Sequence, residues 1–280
     1  MKNFKRLIIG LLFLEYSICF SQWSTDPSQN TPICTDPNNQ FNPHIVVDEM
    51  GNSIIVWEDE TDPMGLRHIY AQRLNRYGYK TWDDRGIPVC SAREYKKIAD
   101  VISDGHGGAI IVWTDWKNFF HPEPIEELDI YAQRIDSTGA LLWDYDGVAV
   151  CTAENNQFNA GVVTDNEGGA IIVWQDNRPG LNGIYIQRIN NFGGVVFKPN
   201  GLDLNDPNAA GSKPKIVING FNGALVTYNG PGANFQNINS SGEFIWPVDS
   251  MLCNNEPLAE REMISDRNKG FIAVSYTHLR

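Results

Sequence analysis

The stretch GGAIIVW occupies residues 107–113 and recurs unchanged at residues 168–174. Related stretches end at residues 57, 228 and 275, so the ends at 57, 113, 174, 228 and 275 lie 56, 61, 54 and 47 residues apart. Repetition at a period in this range is typical of propellers, solenoids and arrays. The chain therefore consists mainly of one structural unit of about 55 residues, repeated along its length.

Each copy predicts four β-strands. An apolar first strand leads through an Asp- and Gly-containing turn into the GGAIIVW-type second strand, as at residues 104–107. Such turns need a side-chain acceptor and a residue with positive φ. The third strand carries IYAQR at 69–73 and 130–134, or IYIQR at 184–188. After a second Gly turn, we expect a fourth strand that holds an aromatic residue: Trp82, Trp143, Phe197 or Trp246.

The second strand is apolar at consecutive positions, whereas a sheet with one wet face would alternate. Continuous apolar character indicates that both faces are covered, as when blades stack around an axis. Tandem sandwiches would need about 100 residues each. We therefore predict an all-β protein, a β-propeller of four-stranded blades with about five repeats of roughly 55 residues.

The predicted organisation begins with a signal peptide at residues 1–21. Lys2, Lys5 and Arg6 precede an apolar run, and Cys19-Phe20-Ser21 offers a cleavage site, with lipidation of Cys19 as the minor alternative. The propeller-like domain spans 22–280. It comprises a fourth-strand segment at 22–34, blades at about 43–90, 97–151, 160–205 and 214–253, and a partial blade at 261–280.

The last residues depart from the repeat. Ser275 replaces the aromatic residue that ends the other second strands, and residues 276–280 do not continue the pattern. Two interpretations are open, a five-bladed ring with a defective closing blade or an incomplete fragment of a longer protein. We expect the second.

The charge of the chain bears on its partners. The formal net charge is −12, and loss of residues 1–21 would make it −14. An acidic surface repels nucleic acid and anionic lipid, so neither is an expected partner. We expect a secreted or cell-surface protein that does not insert into the membrane after signal cleavage.

The repeat also carries a family resemblance. The pattern GGxIIVWxD, then DIYAQRID, then GxxLW resembles a group of exported, mostly uncharacterised bacterial repeat proteins. Many of these have a C-terminal type IX secretion sorting domain. The resemblance covers nearly all of residues 22–274 and implies the propeller-like architecture and export, but no activity.

Four cysteines of the predicted mature chain end the fourth strands: Cys34, Cys90, Cys151 and Cys253. Equivalent positions on neighbouring blades should lie beyond the roughly 7 Å Cα separation that a disulfide allows. We interpret them as small buried apolar residues, with bridges or metal ligands as the alternative. No catalytic motif, metal motif or cofactor is predicted.

Other recurring residues are interpreted as structural, because residues repeated in every blade more commonly cap turns or pair with one another. Paired carboxylates in glycoside hydrolysis are the alternative. Recurring amides are interpreted as hydrogen-bonding positions: Gln72, Gln133, Gln187 and Gln236. The structural set comprises Trp57, Trp113, Trp174, Trp82, Trp143, Trp246, Asp59, Asp115, Asp176, Arg73, Arg134 and Arg188.

The connections from second to third strands and from fourth to first strands are the longer and more variable ones, so their end of the propeller is the predicted binding surface. The longest connection mixes aromatic residues with acids, which suits sugars or a protein hot spot. Its candidate ligand-binding residues are Trp116, Phe119, Phe120, His121, Glu123, Glu126 and Glu127. In the alternative, Phe119 and Phe120 pack into the blade edge.

The sequence thus favours an exported, non-enzymatic module that binds glycan or protein. One alternative is a polysaccharide-active hydrolase or lyase, with acids in 115–129 and around Asp59 and Asp176. Another is a structural spacer for a further domain. The ligand and the oligomeric state are not predicted.

Overall fold

The computed structural model describes residues 23, 26, 28–60, 65–92, 94–117, 127–180, 182–204, 211–220, 222–230, 233–246, 251–253, 261–266 and 271–275. These residues form β-strands, turns and bends and contain no helix. The predicted all-β class is confirmed.

The strands form five antiparallel sheets, each a simple meander in chain order. The first sheet contains β1 (Gln40–Val47), β2 (Ser53–Asp59), β3 (His68–Leu74) and β4 (Ile87–Cys90). The second contains β5 (Tyr95–Ser103), β6 (Ala109–Lys117), β7 (Glu127–Ile135) and β8 (Val148–Cys151). The third contains β9 (Gln157–Thr164), β10 (Ala170–Asp176), β11 (Gly183–Ile189) and β12 (Leu202–Asp203). The fourth contains β13 (Ser212–Ile218), β14 (Ala224–Asn229), β15 (Ala233–Ile238) and β16 (Met251–Cys253), and the fifth β17 (Arg261–Ser265) and β18 (Phe271–Ser275).

The sheets are the blades of a β-propeller. The first strands β1, β5, β9, β13 and β17 contact one another in succession, so they lie innermost. The apolar core is divided into clusters between successive sheets rather than gathered in one centre. This stacking of four-stranded meanders about their first strands is propeller architecture.

The second strands explain why the repeat is apolar at consecutive positions. In β6, Ile111 and Trp113 pack toward the first sheet, whereas Ile110 and Val112 pack toward the third. All four are fully buried. A strand covered on both faces has no position at which a polar residue would meet water.

The turns have the predicted chemistry. Asp104 Oδ1 accepts the N–H groups of His106 and Gly108 at 2.8 Å, and Gly107 has a φ of 83°. Asp165 accepts the equivalent N–H groups in the third sheet. These turns and those between third and fourth strands lie at one end of the propeller, called here the hairpin end. The opposite end, where second strands finish and first strands begin, is called the loop end.

The prediction for the fourth strand needs correction. Trp82 and Trp143 precede β4 and β8 and lie in the connecting segment. Gly86 and Gly147, which have positive φ, turn the backbone just before each strand begins. Their indole N–H groups instead reach the next sheet, at Ser137 O (3.1 Å) and Asn191 O (3.2 Å). The aromatic residue therefore ties neighbouring blades together.

Trp23 makes the same contact from ahead of the first sheet. Its indole N–H donates to Arg76 O at 3.2 Å, and its ring covers Gly78 as Trp82 covers Gly139. Residues 28–39 form no strand. Where residues 22–34 are described, the segment predicted as a fourth strand supplies this contact and contains no strand.

Candidate functional site

The second sheet extends furthest at the loop end. β6 and β7 each have nine residues, whereas β2, β3, β10 and β11 have seven. At about 3.4 Å per residue, the two additional residues raise this hairpin by about 7 Å. Trp116 pairs with Leu128 in the extension.

Only part of the predicted ligand-binding loop lies in the extension. Trp116 is half-buried near the end of β6, and Glu127 begins β7. The other predicted residues fall outside the described residues: Phe119, Phe120, His121, Glu123 and Glu126.

A cleft of about 300 Å³ opens beside this hairpin, between the second and third sheets. Trp116 and Phe158 supply aromatic surface, and Lys97 and Asn159 are exposed polar residues. The full lining is Lys97, Ile98, Ala99, Thr114, Trp116, Leu128, Phe158, Asn159 and Ala160.

A short side chain at one position accounts for the cleft. At the first interface between sheets, Glu58 of β2 reaches β5 and accepts the N–H of Ile98 at 3.0 Å. At the third interface, Gln175 of β10 reaches the N–H of Lys213 on β13 at 3.4 Å. The equivalent residue of β6 is Thr114, whose shorter side chain lines the cleft. The space that Glu58 and Gln175 fill is therefore open.

The first strands are bulged where they border this end. The register shifts at the same place in β1, β5, β9 and β13. Asn42, Asn159 and Lys213 take positive φ values of 47°, 54° and 50° there. Bulges change the direction of neighbouring side chains and are frequent beside binding sites. Here the bulge sets Asn159 on the cleft wall.

Aromatic and basic groups hold Trp116 in place. The rings of Tyr95 and Trp116 meet edge to face with centroids 5.4 Å apart. Arg67 lies over Tyr95 at 5.1 Å and over Phe41 at 4.0 Å. On the other side, the N–H of Leu128 donates to Asn156 Oδ1 at 3.2 Å, which joins the extended hairpin to the third sheet. These contacts fix the position of the Trp116 indole beside the cleft.

The recurring aspartates are buried beneath the loop end. Oδ2 accepts the indole N–H of the preceding Trp in two copies, Trp57 to Asp59 (3.2 Å) and Trp174 to Asp176 (2.9 Å). Burial acts to raise the pKa of Asp176, but hydrogen bonds from Arg178 and Trp174 outweigh it and lower that pKa below its ordinary value. An ionised, fully bonded carboxylate is suited to structure and not to proton donation.

The suggested pairing of these aspartates with the recurring arginines is wrong. Arg134 pairs with Asp104 at 2.8 Å, and Arg188 pairs with Asp165 at 2.9 Å. The antiparallel register sets Arg134 opposite Ile110, near the hairpin end, whereas Asp115 lies at the loop end. The equivalent Arg73 binds Asp48 at 3.0 Å and donates across the interface to Gly107 O at 3.1 Å.

Gln72, Gln133 and Gln187 bond to the segment that precedes the fourth strand and carries the recurring aromatic residue. Gln133 is fully buried, donates to Asp144 O at 2.7 Å and accepts the N–H of Trp143 at 3.1 Å. Gln187 makes the equivalent bonds to Lys198 O and the N–H of Phe197. The amide therefore fixes the connection that precedes the fourth strand.

One aspartate differs from these. Asp100 lies on the innermost strand β5, and burial raises its pKa, while hydrogen bonds from the N–H groups of Val162 and Val101 oppose the rise. The positive charges that act on it come from His44 and Lys215, on other first strands. Asp100 is thus a carboxyl group near the axis with increased affinity for a proton.

The cysteines are free thiols where the structure describes them. Cys90 and Cys151 are buried at the ends of β4 and β8, and Cys34 is partly buried. Burial raises the pKa of both Cys90 and Cys151 to about 12, so these thiols stay protonated at neutral pH.

Of the aromatic and polar residues that line the cleft, only Trp116 was predicted from the sequence. Thr114 of β6 was not, and neither were the first-strand residues Lys97, Phe158 and Asn159. The first-strand residues lie at the beginnings of β5 and β9, and the loop end is where those strands begin. The variable sequence just before each first strand was the available signal, but it does not show which two strands border a cleft.

Comparison with known proteins gives the following results. No family model and no curated protein matches the chain. The structure is similar to the α-L-arabinofuranosidase of Fusarium graminearum (12% identity, TM-score 0.44, 73% of this chain and 62% of that one). It is also similar to the α-L-arabinanase of Penicillium chrysogenum (12%, 0.44, 73% and 68%) and to the endo-arabinase of Bacteroides thetaiotaomicron (15%, 0.40, 70% and 74%). Within the described residues, no helix is long and apolar enough to span a membrane.

Proposed function

We propose that this protein binds a carbohydrate, outside the cell, in the cleft between the second and third sheets. The observation that carries the proposal is the pairing of aromatic and polar groups in one recess of about 300 Å³. Aromatic rings stack on the C–H faces of sugars, and the hydroxyl groups need polar partners. Trp116 and Phe158 offer the first, and Lys97, Thr114 and Asn159 offer the second.

The volume of the recess is compatible with a small ligand group. Ligand pockets begin at about 300 Å³, the volume of this cleft. One or two sugar rings suit the recess. Export rests on the predicted signal peptide and on the sequence resemblance, and both stay predictions.

Binding without turnover is the form of the proposal that the cleft supports. Glycoside hydrolysis uses two carboxyl groups that flank the bond to be cleaved. The cleft lining, as far as the chain is described, contains no Asp or Glu. The recurring aspartates nearby are buried: Asp59 accepts from Trp57, Asp176 accepts from Trp174 and Arg178, and Asp115 lies 3.7 Å from Lys96 Nζ.

The test is a screen of the full chain against immobilised oligosaccharides and polysaccharides, followed by calorimetry on each hit. The Trp116→Ala variant should bind about tenfold more weakly or worse, because the stacking surface is lost. Phe192→Ala is the matched control, since Phe192 is 85% exposed at the hairpin end. Equal affinity of Trp116→Ala and the parent, or no hit for the parent, contradicts the proposal.

A polysaccharide-active enzyme is the second candidate, and Asp100 is the observation in its favour. A general acid needs a raised pKa, and Asp100 has one. Release of reducing ends from the same polysaccharides would be measured for the parent and for Asp100→Asn. Turnover that disappears in Asp100→Asn would establish this candidate. If turnover persists in Asp100→Asn but falls in Glu123→Gln, Glu126→Gln or Glu127→Gln, the catalytic acids lie in the long loop instead.

A further inference from the structure

The repeat sets a thiol beside a buried carboxylate in three copies. In the third sheet, Cys151 Sγ lies 3.8 Å from Asp176 Oδ2. At the first sheet, the sulfur of Cys34 and a carboxylate oxygen of Asp59 lie within 4.8 Å. In each copy the cysteine precedes the aspartate by 25 residues: Cys34 and Asp59, Cys90 and Asp115, Cys151 and Asp176.

Two of the three copies place a basic side chain against the carboxylate. In the second, Lys96 has no exposed side-chain surface and its Nζ lies 3.7 Å from Asp115 Oδ1. In the third, Arg178 Nη2 lies 2.6 Å from Asp176 Oδ2 and 3.5 Å from Cys151 Sγ. Buried carboxylates require such a positive partner, because desolvation of an unpaired charge is costly.

The first copy has an uncharged residue at both of these basic positions. The register places Gln40 opposite Asp59, as it places Lys96 opposite Asp115. The equivalent of Arg178 in the sequence is Thr61, which lies outside the described residues.

The first copy also has an additional acid. Asp36 stands two residues after Cys34, where the other copies have Ala92 and Ala153. Single oxygens of Asp36 and Asp59 and the sulfur of Cys34 all lie within 4.8 Å of one another. Compared with its two counterparts, this pocket has lost a cation and gained an anion.

The charge of this pocket is not balanced by the described side chains. Asp59 is 1% exposed, and its Oδ1 has no hydrogen-bond partner among the described residues, while Oδ2 accepts from Gln40 and Trp57. Arg85 approaches Asp36 at 3.9 Å, but its side chain is 80% exposed. An exposed pair at that distance contributes little.

We propose that Cys34, Asp36 and Asp59 bind a divalent transition-metal ion, with Zn²⁺ as the expected ion, in the position that Lys96 and Arg178 fill in the other copies. The proposal does not depend on the carbohydrate cleft.

The donor set selects the metal. A thiolate with two carboxylates suits Zn²⁺, which takes sulfur at about 2.3 Å and oxygen at about 2.0–2.2 Å. Donor atoms already within 4.8 Å of one another need only small side-chain movements to meet those distances. Ca²⁺ and Mg²⁺ prefer oxygen alone, so a cysteine ligand disfavours them.

The ion would join the segment before β1 to the first sheet. Cys34 and Asp36 belong to that segment, whereas Asp59 ends β2.

The first experiment treats the purified full chain with chelator, removes the chelator, and titrates Zn²⁺ by calorimetry and Co²⁺ by absorbance. We expect one Zn²⁺ per chain and a sulfur-to-cobalt charge-transfer band. A parent protein that binds no Zn²⁺, Co²⁺ binding without that band, or Ca²⁺ binding that is unchanged in Cys34→Ser would overturn the proposal.

Variants then separate ligand loss from misfolding. Asp36→Ala copies the residue of the other two repeats, so it should fold, as circular dichroism would show. It and Cys34→Ser should weaken Zn²⁺ binding by more than about 100-fold, since even the loss of an outer-shell partner costs about 10–100-fold. Cys151→Ser, the matched control, should bind as the parent does. Parent-like affinity in Asp36→Ala or Cys34→Ser would count against the site.

A further variant places a basic side chain where the metal ion is proposed to bind. Gln40→Lys introduces the Lys96 arrangement beside Asp59 and should abolish Zn²⁺ binding in a folded protein. Unchanged binding in Gln40→Lys would show that the ion is held elsewhere.

Discussion

The interface between the first and second sheets and the interface between the second and third use the same strand register, but they differ at one position near the loop end. At the first, Glu58 is fully buried, accepts the N–H of Ile98 and pairs with Arg67 at 2.7 Å. At the second, Thr114 occupies the same position and borders the cleft. The difference teaches that one shorter side chain at this position accompanies an open recess between two blades.

The largest expected effect comes from opening the closed interface. Glu58→Ala leaves Arg67 and the Ile98 N–H without their buried acceptor and should lower the free energy of unfolding by about 3 kcal/mol or more. Denaturant titration measures the loss. The matched Thr114→Ala variant should cost less than about 1 kcal/mol, because no such acceptor is removed. Equal losses in the two variants would mean that the interfaces do not differ in this way.

The next effect comes from closing the open interface. Thr114→Gln copies Gln175, whose amide reaches the following first strand at the third interface. The longer side chain should fill the cleft and weaken carbohydrate binding about tenfold, which corresponds to about 1.4 kcal/mol. Calorimetry with the screened ligand measures the change, and denaturant titration should show unchanged stability. Parent-like affinity would place the ligand away from the cleft between these sheets.

The smallest effect is a difference in pH dependence between two aspartates. The folded-state pKa of Asp176 is lowered. Its contribution to the free energy of unfolding is therefore present at neutral pH and is lost as the pH falls through that folded-state value. Asp100 contributes no such stability at neutral pH, because its pKa is raised. Protonated Asp100 stabilises the folded protein at low pH, and this stabilisation is lost as the pH rises through the folded-state pKa of Asp100.

Stability measured from pH 2 to pH 7 should therefore change in opposite directions in the two variants. Asp176→Asn should remove part of the acid-induced loss of stability. Asp100→Asn should remove a stabilisation that is present at low pH and declines toward neutral pH. Asp100 lies at the interface between the second and third sheets, where its Oδ2 accepts the N–H of Val162 at 3.2 Å. Parallel curves for Asp176→Asn and the parent would contradict the role given to Arg178.

The sequence carried the strand pattern, the turn chemistry and the double-sided burial of the second strand. Those properties are local, since Asp104 bonds N–H groups two and four residues along the chain. It did not reveal the partners of Arg134, because the register that places Arg134 near Asp104 spans 30 residues. The position of Trp143 outside the fourth strand was also missed, since its indole N–H bonds to Asn191 in the next sheet.

The sequence by itself determined that this protein is a repeated four-stranded unit with both faces of its second strand covered, because periodic apolar residues and Asp–Gly turns act over short distances. Only the tertiary structure decided where the cleft forms and which residues cluster around Asp59. The cleft depends on what Thr114 faces across the interface, and the proposed metal site depends on Cys34 meeting Asp59. Each site is formed by residues far apart in the chain that only the stacking of sheets brings together.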